Sequence, residues 1–228
     1  MKNNRYIILS EKSWNSNLEI MLKEKFPMHQ WKLINSKQDF NSNILSQFNP
    51  YQIFIPHWSY IIPNEIFEKY ECIVFHMTDL PYGRGGSPLQ NLIVRGKKET
   101  KISAINVDYG LDTGPVYLKK DLKLNGTAKE IFKRSSKVIF EMIVEIIEKG
   151  IVPKPQKGVP VLFKRRSPNQ SDIKDLNSLD KVYDYIRMLD CDGYPKAYLE
   201  TDHLKIEFEK AEIISDNELK ANVRISKK

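Results

Sequence analysis

Two polar turns in this sequence carry the residues that could do chemistry. His76 follows a short apolar run, 72–75, and precedes a glycine-bearing loop that ends at Pro88, a residue typical of a first helical turn. Open α/β sheets bind ligands at the carboxyl ends of their strands, so His76 stands where a ligand site is expected. A second turn, 107–114, places Asp112 between two more strand-like runs. A histidine and a carboxylate can share proton transfer and can stabilise developing charge.

The motifs around both residues resemble those of the folate-dependent formyltransferases. The shared features are His76, a Leu-Pro pair, an Arg-Gly turn, Pro88, Gln90 and the Gly-Leu-Asp-Thr-Gly loop at 110–114, in the family's order and at fitting spacing. The resemblance implies a base or oxyanion-stabilising role for His76, a proton relay through Asp112, and 10-formyltetrahydrofolate as formyl donor. A purely structural explanation, a strand-end histidine and a turn aspartate, is the weaker alternative.

One position departs from the family's motif. The asparagine that the family carries two residues before its histidine is Val74 here, and a valine side chain donates no hydrogen bond. Losing one oxyanion donor costs roughly 2.7–4 kcal/mol of barrier. We therefore expect a compensating group, with Thr78 and Asn106 as nearby candidates. Without such a group the chain would be a weak enzyme or a non-catalytic protein that binds folate or a sugar.

The resemblance also implies where the two substrates bind. The family holds its pterin ring largely through main-chain groups of the loop before the aspartate. The end of the third strand is expected to line the same pocket, and the first turn and the Arg-Gly turn face the same sheet end in this fold. The predicted cofactor-binding residues are His57, Trp58, Asn106, Val107, Asp108, Tyr109, Gly110 and Leu111, and the predicted substrate-binding residues are Ser10, Trp14, Thr78, Arg84 and Gly85.

Strand-like and helical patterns alternate through residues 1–150. This alternation predicts a Rossmann-like α/β catalytic core with a mostly parallel sheet. Within it, Thr127 and Glu130 form a predicted capping box in front of a long apolar-striped helix. The stretch 151–178 is rich in proline and is interpreted as a linker, and 179–228 predicts a small β-rich C-terminal unit of one helix and three strands.

Composition limits the class of protein. With 228 residues, of which 41% are hydrophobic and 29% charged, the chain suits one substantial globular domain and a small appendage. Since no signal peptide and no apolar run of ~18 residues is present, we expect a cytoplasmic protein without a membrane partner. Cys72 and Cys191 lie far apart and no residues show ligand spacing, so no metal site is predicted. The net charge of +7 suggests an anionic partner.

The formyl acceptor is the part of the reaction that the motifs leave open. Among the family's branches the sugar N-formyltransferases resemble this chain most, in core size, in His57-Trp58 and in the Lys-Arg-Arg-x-Pro after the linker. This branch implies a UDP- or dTDP-linked amino-deoxy sugar of surface-glycan biosynthesis as the partner, with the pseudaminic acid pathway as one option. The region after Pro168 is short and shows no aromatic–basic interleaving, which argues against nucleic acid. A methionyl-tRNA-type formyltransferase and a formyltetrahydrofolate hydrolase stay as alternatives, and an exposed β edge in the tail leaves a homodimer open.

Overall fold

The computed structural model describes residues 4–228, and its helices and strands alternate through the first part of that range. In chain order the elements are β1 (Arg5–Leu9), α1 (Leu18–Lys25), β2 (Gln30–Ile34), α2 (Ser42–Phe48), β3 (Gln52–Pro56), α3 (Asn64–Phe67), β4 (Glu71–His76), β5 (Tyr82–Gly85), α4 (Pro88–Val94), β6 (Glu99–Asn106), β7 (Val116–Lys123), α5 (Ala128–Lys149), β8 (Val161–Phe163), α6 (Leu179–Arg187), β9 (Ala197–Glu200), β10 (Leu204–Ser215) and β11 (Glu218–Lys227), with 3-10 turns at Ser13–Asn15 and Pro168–Ser171.

Within residues 4–228 the main sheet has the strand order β2-β1-β3-β4-β6-β7. Strand β1 is parallel to β2 and β3, β3 is parallel to β4, and β6 runs antiparallel to β4. All five residues of β3 are buried, which is typical of a parallel strand covered on both faces. The predicted Rossmann-like core with a mostly parallel sheet is confirmed. Because β1, β3 and β4 are parallel, their carboxyl ends lie at one edge, which includes Leu9, Pro56 and His76.

The described residues pack as two compact units, each assembled from separate stretches of the chain. The first unit contains residues up to 84, 100–122 and 133–162, and the second contains 85–99, 123–132 and 163–228. The first unit therefore takes in part of the stretch that composition marks as a linker. The domain boundaries predicted at residues 150 and 178 stay a prediction.

The C-terminal part of the second unit is an antiparallel sheet in the order β11-β10-β9. Ile206 in its middle strand pairs with Leu199 on one side and Ile225 on the other, and α6 packs against β10. The pairing of β10 with β11 shifts register between Glu209 and Glu212. The predicted β-rich C-terminal unit is confirmed, with longer strands than the apolar alternation alone indicated.

The long helix α5 begins at the predicted capping box. The Glu130 backbone N–H donates to Thr127 Oγ1 at 3.3 Å, and the Thr127 backbone N–H donates to Glu130 Oε2 at 2.8 Å. These reciprocal bonds satisfy backbone donors that a helix start leaves without intrahelical partners. Although α5 has 22 residues, no helix within the described range is long and apolar enough to cross a membrane.

Candidate active site

His76 closes strand β4, and its buried side chain lies between two oxygen acceptors. Nε2 is 2.8 Å from the carbonyl oxygen of Gly83, and Nδ1 is 3.5 Å from Oδ2 of Asp112. Carbonyl and carboxylate oxygens only accept hydrogen bonds, so the ring satisfies both partners when each nitrogen carries a proton. The structure thus brings together the two residues predicted to be catalytic. The distance between Nδ1 of His76 and Oδ2 of Asp112 is that of an ion pair and is too long for a short hydrogen bond.

The backbone of the Asp112 loop is held in an uncommon conformation. Asp112 has a φ of +54°, in the left-handed region, which aspartate and asparagine tolerate better than most residues. Two residues later, a Cβ added to Gly114 would lie 1.7 Å from the carbonyl oxygen of Asn106. Only glycine fits there. The loop therefore turns sharply at the end of β6 and presents the Asp112 carboxylate to His76.

The preceding part of the loop is fixed by Asp108. Its Oδ1 accepts from the backbone N–H of Gly110 at 3.1 Å and from Oγ1 of Thr113 at 2.5 Å. Tyr109 donates its hydroxyl proton to Glu68 at 2.6 Å. The side chain of Leu111 is 67% exposed. Among the residues predicted to hold the folate, Asp108 therefore organises the loop, while Leu111 offers apolar surface.

Gln156, which carries no motif of its own, joins this loop to the Arg84 turn. Its Nε2 donates to the carbonyl oxygens of Asp112 at 2.8 Å and Gly114 at 2.9 Å. Its Oε1 accepts from Arg84 Nη2 at 2.8 Å and Nε at 3.2 Å. The predicted substrate residue Arg84 is thus engaged within the protein. Sequence reasoning missed Gln156, because a glutamine in a proline-rich stretch gives no signal for contacts with two loop carbonyls and a distant arginine.

His57, at the end of β3, anchors the first turn of the chain. Trp14 donates its indole N–H to His57 Nδ1 at 3.0 Å. Asn15 Nδ2 donates to the carbonyl oxygen of Pro56 at 3.2 Å and to Ser10 Oγ at 3.0 Å. The structure therefore brings the predicted residues Ser10, Trp14 and His57 together. Sequence reasoning missed Asn15, which links them.

Burial, together with smaller contributions from the nearby charges of Lys12 and His76, lowers the pKa of His57 to about 3. The indole N–H of Trp14 can only donate, so Nδ1 of His57 is the acceptor and the ring proton resides on Nε2. His57 is thus a neutral residue whose pKa is influenced by the charge of His76. It is not suited to donate a proton near neutral pH.

The two candidates to replace the family's asparagine occupy different positions. Thr78 is fully buried, and its Oγ1 donates at 3.3 Å to the same Gly83 carbonyl that His76 contacts. Asn106 pairs with Ile73 across the sheet, whereas Val74 pairs with Ile105. Because side chains alternate between the faces of a strand, Asn106 lies on the opposite face from Val74. Thr78 is therefore the candidate that adjoins His76.

The remaining predicted residues pack within the protein. Trp58 makes edge-to-face contacts with Phe40 and Tyr60, and Val107 packs against the apolar core of the first unit. Gly85 belongs to the second unit, where an added Cβ would lie 2.3 Å from the carbonyl oxygen of Phe163. Its φ of +112° also requires glycine. Gly85 therefore serves a close backbone approach.

The carboxyl end of β4 and the loop 107–114 form one edge of the first unit, which we call the loop edge, and this edge fits a folate. The Oδ1 atom of Asn106 is buried and has no hydrogen-bond partner, so it can accept an N–H of a pterin ring. The exposed side chain of Leu111 can cover an apolar ring face. Within residues 4–228 no group of three His, Cys, Asp or Glu side chains is arranged to hold a metal ion.

Comparisons with known proteins agree on the family. A model described as formyl transferase matches residues 9–147, and one described as the C-terminal domain of methionyl-tRNA formyltransferase matches 168–226. A methionyl-tRNA formyltransferase from Thermodesulfovibrio yellowstonii is 32% identical over 76% of this chain and 58% of its own length. One from Rickettsia canadensis is 27% identical over 78% of this chain and 61% of its own. The chain thus spans about three fifths of these relatives.

Solved structures with this fold include one of matching length. A methionyl-tRNA formyltransferase from Clostridium thermocellum is 48% identical, with a TM-score of 0.95, over 99% of this chain and all of that one. HypX from Aquifex aeolicus in complex with tetrahydrofolic acid is 17% identical, with a TM-score of 0.76, over 92% of this chain and 38% of that one. A sugar N-formyltransferase from a Shewanella species is 15% identical, with a TM-score of 0.70, over 93% and 99%.

These comparisons correct the expected acceptor. The prediction of a nucleotide-linked amino sugar is wrong, because relatives at 32% and 48% identity are methionyl-tRNA formyltransferases, whereas the sugar enzyme shares the fold at 15%. The expectation that nucleic acid is not a partner is wrong for the same reason. It relied on the short region after Pro168, yet 168–226 matches the C-terminal domain of the tRNA enzymes. Length was therefore a poor guide to the acceptor.

Proposed function

This chain belongs to the formyl transferase family, and we propose that it transfers a formyl group from 10-formyltetrahydrofolate to the amino group of methionyl-tRNA. The observation that carries the choice of acceptor is the match of residues 168–226 to the C-terminal domain of methionyl-tRNA formyltransferases. The 48% identity to a methionyl-tRNA formyltransferase over nearly the whole chain supports the same acceptor.

In the proposed reaction a bond forms between the acceptor nitrogen and the formyl carbon, and the bond from that carbon to N10 of the folate breaks. One proton leaves the amine and one arrives at N10. Asp112 takes up and relays the proton, and the protonated ring of His76 stabilises the negative charge that develops on the formyl oxygen. The Nε2–H of His76 then exchanges the Gly83 carbonyl for that oxygen, while its Nδ1 keeps facing Asp112.

The second unit carries a basic surface that suits an RNA acceptor. We define it by the two stretches 85–98 and 163–171, which contain no acidic residue. The Asn91 side chain joins them, since its Nδ2 donates to the carbonyl oxygens of Gly86 and Lys164, each at 2.9 Å. The cations of this surface are Arg95, Lys97, Lys98, Lys164, Arg165 and Arg166.

Aromatic rings underlie part of this basic surface. The guanidinium of Arg95 lies 4.5 Å from the centre of the Phe163 ring, and that of Arg166 lies 5.4 Å from the centre of the Tyr185 ring. Such stacking restrains the arginine side chains and leaves their charge available to phosphates. We assign the tRNA backbone to this surface. Binding should then weaken as salt rises, because cations that contact phosphates release counterions.

The experiment is a formylation assay on intact methionyl-tRNA. Purified protein is incubated with 10-formyltetrahydrofolate and methionyl-tRNA. The ester bond between methionine and tRNA is then hydrolysed, and the mass of the released methionine is measured by mass spectrometry. The proposal predicts that the methionine gains one formyl group. Methionyl-tRNA whose amine is already acetylated is the control, and it should gain nothing.

Other products would assign other functions. Free formate without any formyl-methionine would support a hydrolase and contradict the transferase. If the folded protein does not turn over the folate at all, a non-catalytic binding protein would be supported. Val74 would then mark the loss of the family's hydrogen-bond donor. Formylation of free methionine as fast as of methionyl-tRNA would remove the RNA from the proposal.

A further inference from the structure

The stretch after α5 is tied to the rest of the first unit at several points. The backbone groups of Lys154 and Val116 exchange two hydrogen bonds, of 2.7 and 2.8 Å, and the Val161 N–H donates to the carbonyl oxygen of Pro81 at 3.1 Å. Between these anchors Gln156 is half-buried, whereas the residues on either side of it, 155 and 157, are exposed. The anchors therefore fix the Gln156 side chain where it reaches into the loop edge.

Gln156 uses all of its hydrogen-bonding capacity there. Both protons of its amide go to loop carbonyls, those of Asp112 and Gly114, and both lone pairs of its oxygen receive Arg84. An amide is the side chain that can do this, since it combines two donors with one acceptor oxygen. A glutamate at this place would put an oxygen against two carbonyl oxygens.

These contacts complete a ring of polar groups around the candidate pair. His76 contacts Asp112 through Nδ1 and the Gly83 carbonyl through Nε2. The chain continues from Gly83 to Arg84, whose guanidinium binds Gln156, and Gln156 binds the backbone of Asp112. Gln156 is thus the group that connects the histidine side of the ring to the aspartate side.

We propose that Gln156 is a positioning residue that sets the Asp112 carboxylate against His76. The proposal rests on the formyl transfer proposed above. Gln156 does not contact the reacting atoms in this proposal. It acts through the loop that contains Asp112, whose own backbone is in the left-handed conformation. Because reacting groups must be aligned closely, a small displacement of this loop lowers turnover and leaves tRNA affinity unchanged.

A double-mutant cycle with Asp112 tests this assignment. Gln156→Met keeps the length of the side chain and removes its donors and its acceptor. We expect it to lower kcat about 10- to 100-fold with an unchanged KM for methionyl-tRNA. In an Asp112→Asn background the same change should lower kcat by less than about threefold, since groups that act through one another are not additive. An equal decrease in both backgrounds, or an effect confined to KM, would overturn the proposal.

Two further variants serve as a matched control and as an alternative to Gln156→Met. Gln47→Met makes the same substitution on the exposed side of α2 and should leave kcat and the melting temperature unchanged. If Gln156→Met does not fold, Gln156→Glu replaces it in the cycle, because it keeps the acceptor for Arg84 and removes both donors. The same non-additivity with Asp112→Asn is expected.

A spectroscopic readout separates this proposal from the proposed function. In protein labelled with ¹⁵N-histidine, the His76 ring signals should shift in Gln156→Met in the same direction as in Asp112→Asn. Unchanged His76 signals in Gln156→Met would contradict the positioning role. Failure to formylate methionyl-tRNA would reject the proposed function alone, since the ring signals are measured without any acceptor.

Discussion

The loop edge of the first unit and the basic surface of the second unit hold their polar groups in opposite ways. At the loop edge, His76 is buried and Gln156 directs every donor and acceptor to a partner within the protein. On the basic surface, Lys164 and Arg165 are exposed to solvent. The first region is therefore sensitive to geometry, and the second to the number of charges and to salt. Chemistry and acceptor affinity should respond to different mutations.

The largest effect is expected at the centre of the loop edge. His76→Ala should lower kcat about 10²- to 10⁴-fold, since it removes the group assigned to the developing charge. Methionyl-tRNA affinity, measured by filter binding, should stay at the parental value. His203→Ala changes an exposed histidine of the second unit and is the matched control. A His76→Ala variant with parental kcat would remove this residue from the mechanism.

A smaller decrease is expected at Asp112. Asp112→Asn should keep the left-handed backbone, which asparagine also tolerates, while it removes the carboxylate that faces Nδ1 of His76. We expect kcat to fall roughly 100-fold with an unchanged melting temperature, as judged by circular dichroism. If turnover and its pH profile both stay parental, Asp112 is a turn residue only.

Substitutions on the basic surface should change the affinity for methionyl-tRNA and leave the chemical step unaffected. Replacing Lys164 and Arg165 by alanine should raise KM for methionyl-tRNA without changing kcat. The slope of log affinity against log salt should become shallower by about one for each phosphate that the variant no longer neutralises. Lys174, which pairs with Asp172 at 3.5 Å, provides a control cation in the same unit. A parental salt slope in the double variant would place the RNA elsewhere.

The smallest effect at neutral pH concerns His57. Its pKa of about 3 lies below the unfolded value near 6.5, so the unfolded chain binds a proton that the folded chain does not. Stability should therefore fall as pH drops from about 6.5 toward 3, by at most about 1.4 kcal/mol per pH unit. His57→Asn should flatten this dependence. Tryptophan fluorescence is a suitable probe, because Trp14, Trp31 and Trp58 all belong to the first unit. An unchanged acid dependence in His57→Asn would contradict this account.

Much of the fold could be predicted because local patterns determine it. The alternation of apolar runs identified the parallel core, and the capping residues located the start of α5. Elements that depend on distant partners were missed. Strand β5 is a Tyr-Gly-Arg-Gly segment without apolar alternation, and it forms a two-stranded sheet with β8 from the stretch interpreted as a linker.

The candidate site was predictable only as far as its motifs. His76 and Asp112 stand out by sequence, but their contact depends on how β4 and β6 pair, which spacing alone does not give. The acceptor was mispredicted for a similar reason. Basic and aromatic residues of the second unit meet from distant parts of the chain, as Arg95 meets Phe163. A search for interleaving along the sequence does not detect such contacts.

The salt dependence of steady-state formylation of methionyl-tRNA tests the central claim most directly. Chemistry is assigned to the buried loop edge of the first unit, and RNA affinity to the basic surface of the second. Raising the salt concentration should therefore increase KM for methionyl-tRNA steeply and leave kcat nearly constant. A KM that ignores salt would contradict the assignment of an RNA acceptor to this protein.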